Sequence, residues 1–201
     1  TQLLLAALPF FSFFLVASIT PGPNNFMLAA SGMNYGYRRT VPHMLGVGIG
    51  FMLMVLLVGA GLGGVFELVP GAMLVLKVAS TIYLLYLAWR IATAAPLRTA
   101  DGEGGARPFT FLQAAAFQWV NPKAWTMAIA AASVYAGLSS NPLHLALIVG
   151  AVFGLAAALS LTLWCLGGHW LARILKTENQ WRAVNITLGL VLAASIVPMW
   201  W

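Results

Sequence analysis

Long apolar runs, separated by short polar or turn-like gaps, dominate the chain. Six of them, 3–33, 41–66, 71–95, 109–138, 143–167 and 183–201, are long enough to cross a hydrocarbon core as helices, which takes about 20 residues each. Strands that cross lipid alternate polar and apolar residues. These runs do not alternate, so helices are the expected element. The longest gap, 96–108, holds Arg98, Asp101, Glu103, Arg107 and three glycines. Another, 169–182, sets Trp170, Leu171 and Ile174 against Arg173, Lys176 and Glu178, the pattern of an amphipathic segment at a membrane surface. No basic stretch precedes the first run, so it does not read as a cleaved signal peptide. The predicted fold is one all-α membrane domain over 1–201 with six transmembrane helices.

Composition narrows the classes. Hydrophobic residues are 61% and charged residues 7%, too few polar side chains to clothe a soluble core. A soluble globular domain, a disordered chain and a nucleic-acid-binding module are excluded, and no nucleic-acid partner is expected. The single cysteine, Cys165, rules out an internal disulfide and a cysteine-based zinc site. No HExxH or GxSxG motif occurs, so an intramembrane enzyme lacks its nucleophile or metal, and neither metal nor cofactor is expected.

The basic residues orient the chain. Eight of the ten Lys and Arg (Arg38, Arg39, Arg90, Arg98, Arg107, Arg173, Lys176 and Arg182) fall in or beside the first, third and fifth connections. The positive-inside rule places those connections in the cytoplasm and both termini in the periplasm of a bacterial inner membrane.

The chain also reads as duplicated around the cytoplasmic loop 96–108. A shift of 101 residues carries Phe10 onto Phe111, Pro21 onto Pro122, Gly36 onto Gly137 and His43 onto His144. Each half, 1–95 and 109–201, has a long interrupted run, a glycine-rich run and a third run. Three spans per half insert the halves in opposite senses, the 3+3 inverted repeat of secondary transporters.

The interruptions carry the chemistry. Thr20-Pro21-Gly22-Pro23-Asn24-Asn25 sits inside a 31-residue run, about 45 Å as one helix and too long to span without a break or strong tilt. Pro21 and Pro23 lack N–H groups and disturb the carbonyls of Ala17 and Ile19. Asn121-Pro122-Lys123 stands at the matching place, where Pro122 frees the carbonyl of Gln118. Proline suits the first helical position and Asn121 an N-cap, so both helices can restart. A restarted helix aims free N–H groups and partial positive charge at whatever precedes it, which suits a carboxylate. A pair of ordinary proline kinks is the structural alternative.

TPGPNN, then Gly36-Tyr37-Arg38-Arg39 with the glycine-rich stretch 45–51, then NPKAW together resemble the LysE/RhtB family of amino-acid exporters. The resemblance spans essentially the whole chain. Leu166-Gly167-Gly168-His169 is similar to the branch that exports cysteine and O-acetylserine. It implies six helices and proton-motive-force-driven efflux of small amino acids or derivatives, such as cysteine, O-acetylserine, homoserine or threonine.

Candidate substrate-binding residues are Thr20, Asn24, Asn25, Gln118, Asn121 and Lys123. A lysine at mid-bilayer costs about 2.5–3.5 kcal/mol on insertion scales, so Lys123 should face a cavity or a partner. The asparagines suit a zwitterion, or else cap the broken backbone. Glu67 is the one acid close to a span, and it can pair with Lys77 across the short connection between them. His43, His144 and Glu67 are the candidate proton-relay groups. Gly46/Gly50, Gly59/Gly63 and Gly150/Gly154 are close-packing pairs, within the chain or between two copies in a homodimer. A passive channel or a structural membrane subunit is the rival function.

Overall fold

The computed structural model describes residues 2–94, 107–135 and 142–201, with the side chains of 11–94, 107–133, 150 and 152–201. Regular structure among them is entirely helical: α1 (Gln2–Ile19), α2 (Pro23–Tyr35), α3 (Tyr37–Gly59), α4 (Val65–Leu68), α5 (Ala72–Ala92), α6 (Phe111–Phe117), α7 (Pro122–Tyr135), α8 (Pro142–Ile174) and α9 (Glu178–Ala194). Single 3₁₀ turns lie at Leu62–Gly64, Gln118–Val120 and Val197–Met199. Among the described residues, four stretches are long and apolar enough to cross a membrane: Tyr37–Gly59, Ala72–Ala92, Val152–Ile174 and Glu178–Met199. The first and fourth predicted runs are each divided in two.

The divisions fall where proline dictates. α1 stops at Ile19 and α2 restarts with Pro23 in its first turn, after Gly22 in extended conformation. α6 passes through a 3₁₀ turn to Asn121, and α7 restarts at Pro122. Elsewhere, Thr110 with Gln113 and Thr177 with Gln180 form capping boxes that start α6 and α9. Gly36, at φ 78°, takes the left-handed turn between α2 and α3 that a side chain would resist.

One expectation needs correction. The segment 169–182, expected as an amphipathic stretch between two runs, is no gap of that length: α8 continues to Ile174, and α9 begins at Glu178. The Gly167-Gly168 pair read as a boundary. Within a packed helix it costs only about 1 kcal/mol per glycine, and Gly168 is put to another use.

That use is close packing between the halves. α1 and α2 lie against α8, α6 and α7 against α3, and α5 against α9. Exchanging every helix for its counterpart (α1 for α6, α2 for α7, α3 for α8, α5 for α9) maps those pairings onto themselves. A Cβ on Gly32 would stand 2.1 Å from the carbonyl oxygen of Cys165, and one on Gly168 1.9 Å from that of Ala29. On the counterpart crossing, a Cβ on Gly46 would stand 2.3 Å from the Phe111 carbonyl oxygen. Gly46 and Gly50 therefore pack inside the chain, whereas Gly59 and Gly154 face open space. Outward, α8 presents Leu155, Leu159, Leu163, Leu166 and Trp170, an exposed apolar face fit for lipid.

Candidate functional site

Both interruptions open on one cavity. It is bordered by Gly22, Asn24, Asn25, Gln118, Asn121 and Lys123, with Ser18 and Ser160 beside them, and offers about 60 Å³ to the centres of water molecules. A second, wider groove of about 500 Å³ touches Pro21, Gly22, Pro122 and Lys123 and runs past the last turns of α9. Lys123 and Gly22 border both spaces, and a Cβ on Gly22 would lie only 3.0 Å from the lysine Cδ. The glycine makes room for the lysine stem.

Carbonyls freed by proline in an apolar interior need donors. At the first break, Asn25 Nδ2 donates to Ser18 O (2.8 Å) and Thr20 O (2.9 Å). Ser160 Oγ donates to Ser18 O (2.7 Å), Trp164 Nε1 to Ile19 O (3.1 Å) and Lys123 Nζ to Thr20 O (2.7 Å). At the second break, Trp125 Nε1 donates to Trp119 O (2.9 Å), Ser80 Oγ donates to Val120 O, and Asn121 N donates to Gln118 O (3.2 Å). The main chain of each interruption is thus held by side chains, several of them from the other half.

Six residues were expected to bind substrate. Asn24, Asn25, Gln118, Asn121 and Lys123 are brought together around the cavity; Thr20 is not among its walls, and its hydroxyl donates to Val16 O at 2.7 Å. Asn25 is buried and spent on capping. Asn121 is also buried, its Oδ1 accepting from the amide of Lys123 at 3.2 Å. Asn24 and Gln118 form a reciprocal amide pair across the two halves, 2.9 Å and 3.2 Å. No carboxylate among the described residues is paired with Lys123; its ammonium rests on a carbonyl alone.

The relay candidates scatter. His43 is 2% exposed, with neither ring nitrogen hydrogen-bonded among the described residues. Glu67 is exposed on α4 and borders neither space at the breaks. The side chain of His144 lies outside the described residues. The expected Glu67–Lys77 pair does not form: Lys77 Nζ sits 5.9 Å from the centre of the Trp200 ring, an attraction of cation to aromatic face. Sequence reasoning missed Ser80, Ser160 and Trp164 as donors, since nothing marks a lone serine in an apolar run. It also missed Asn34 and Asn185, which form a buried reciprocal pair (2.8 Å and 3.1 Å), Asn185 donating further to Ala94 O at 3.0 Å.

Residues 15–195 match the family model described as LysE type translocator. The chain belongs to the LysE family. Relatives named cysteine/O-acetylserine efflux protein, from Shigella flexneri serotype 5b (strain 8401) and Escherichia coli (strain K12), are each 28% identical over 201 residues, the full length of both chains. A third of that name, from Escherichia coli O139:H28, is 29% identical over 192 residues, 96% of this chain and 95% of its own. No solved structure matches. Membership in the LysE family makes this chain a multi-pass membrane transporter, not an enzyme, and the cavity between the two breaks is where its polar groups converge.

Proposed function

We propose that this LysE-family protein exports small amino acids or their derivatives across the bacterial inner membrane. The observation that carries the reading is the shared cavity, in which an unneutralised lysine from one half and an asparagine from the other face the same space. A substrate carboxylate would replace Thr20 O on Lys123 Nζ, exchanging a neutral acceptor for a charged one and strengthening the bond. The first-turn amides of α2 lie beside it, with no acceptor inside their own helix. The carbonyl oxygens of Asn24 and Gln118 would each leave the other's side-chain NH2 group and accept from the substrate ammonium.

Both contacts that substrate replaces, Lys123 to Thr20 and Asn24 to Gln118, cross between the halves. Loading would unlatch the halves and let one rock on the other, the motion expected of a 3+3 inverted repeat with six spans. The symmetry of the helix pairings under exchange of halves supports that arrangement. The relatives named for cysteine and O-acetylserine efflux support those two solutes as substrates. The proton motive force as the drive is what the family resemblance implies.

Efflux of labelled O-acetylserine from loaded cells tests the reading. Export should fall when an uncoupler collapses the proton gradient, and Lys123→Gln should reduce it at least about tenfold, the effect of one charged hydrogen bond. Undiminished export in Lys123→Gln removes the residue from the mechanism. Export that only follows the solute gradient, with or without uncoupler, makes the protein a passive channel.

A further inference from the structure

A second polar cavity lies at the basic end of the molecule, away from the breaks. Asn34, Tyr35, His43, Arg90, Arg107 and Phe109 are among its walls. It offers about 60 Å³ to the centres of water molecules, several times the roughly 10–15 Å³ one water requires. Counted out to its mouth, the empty space is about 470 Å³.

Two features single it out. His43 is buried to 2% exposure, yet both ring nitrogens lack a partner among the described residues. Such a group is costly unless something supplies the missing bond. The Phe109 ring, 5.3 Å away centre to centre, supplies none. The second feature is charge. Arg90 and Arg107 both border the cavity, and no carboxylate among the described residues is paired with either. Arg90 instead stands 5.9 Å from the ring centre of Tyr86. Asn34 is already committed to Asn185.

Position gives the cavity a role. Met27, Ala30, Ser31 and Asn34 of α2 face it, whereas Asn24 and Asn25 of the same helix face the cavity at the breaks. Likewise, His43 faces one and Val47, one turn along α3, the other. The two cavities are therefore offset along α2 by about 10 Å, six or seven residues of helix. An apolar cluster that includes Phe26, Met27, Leu84, Leu87 and Phe117 packs in that part of the molecule.

We propose that this cavity is a second binding site, a loading station for a small amino acid on the cytoplasmic side of the apolar cluster. The guanidinium groups hold the carboxylate. A neutral imidazole nitrogen of His43 and the Tyr35 hydroxyl accept from the ammonium. The identity of the solute rests on the proposed export of amino acids; the existence of the site does not.

The full chain, labelled with ¹⁵N-histidine and placed in nanodiscs of zwitterionic lipid, tests it. His43 is assigned by replacing His144 and His169 in turn. Added O-acetylserine should shift the His43 ring signals saturably, and acetate should do so more weakly. Arg107→Gln, an exposed change that leaves packing alone, should weaken the apparent affinity about tenfold, the effect of one lost charged hydrogen bond. Lys123→Gln should lose export but keep the shift. Wild-type protein that exports yet shows no saturable His43 shift overturns the second site and leaves the first standing. A shift that needs anionic lipid in the disc assigns the cavity to a headgroup and overturns the proposal as well.

Discussion

Two adjacent asparagines, Asn24 and Asn25, do different work, and only their geometry separates them. Asn25 is buried and donates to two carbonyls of the first break. Asn24 is half-buried and holds only Gln118, which keeps a second bond to Ala114 O at 2.9 Å. Asn25→Ala should therefore lower thermal stability by about 1–3 kcal/mol, the worth of one or two buried hydrogen bonds. Asn24→Ala breaks the pair with Gln118 at the cavity wall, where water can take its place, so it should cost less stability than Asn25→Ala and cut export about tenfold by removing one acceptor for the ammonium. Unfolding in detergent and efflux kinetics read the two effects. The reverse pattern would make Asn25 the substrate ligand and Asn24 the brace. Lys123 and the prolines were legible in the sequence because each is costly in lipid and must have a reason. Asn34 and Asn185 were not, although they join α2 to α9, because their partners are 151 residues apart and neither residue breaks a pattern.

At the scale of helices, hydrophobic run length located four stretches that are long and apolar enough to span, because lipid thickness imposes that length. It failed at α8, whose 33 residues make a helix of about 50 Å. No proline stops it between Pro142 and Ile174, and one of its glycines, Gly168, serves the crossing with α2. That crossing has no slack. A methyl on Gly32 or Gly168 would meet a backbone oxygen at 2.1 Å or 1.9 Å. Gly32→Ala and Gly168→Ala should each destabilise the protein by about 1–3 kcal/mol through overpacking. Gly154→Ala, on the same helix with nothing within 4 Å, should be neutral or mildly stabilising through helix propensity. Thermal unfolding of the three variants decides the matter. Equal stability across them would mean that α2 and α8 are not pressed together as described.

On the scale of the whole molecule, the basic connections become one surface. Asn34 near the end of α2, Asn185 in α9 and the carbonyl of Ala94 after α5 are hydrogen-bonded together. Gly36 lies against His169 near the end of α8, and Arg90 and Arg107 share a cavity. The α2–α3, α5–α6 and α8–α9 junctions thus meet at one end, with Arg38, Arg39, Arg90, Arg107, Arg173, Lys176 and Arg182 in or beside them. α3 leads away from that end, so α4 and Leu68, which is 82% exposed, belong to the other. Seven positive charges gathered on one face resist translocation, and that face should be cytoplasmic. Cys165, the single cysteine, is fully buried, so added cysteines can be read against a quiet background. A membrane-impermeant maleimide should label Leu68→Cys in intact cells and Asn179→Cys only after the membrane is opened. Labelling of Asn179→Cys from outside would turn the basic cavity towards the periplasm, where it could load a solute for import but not for export.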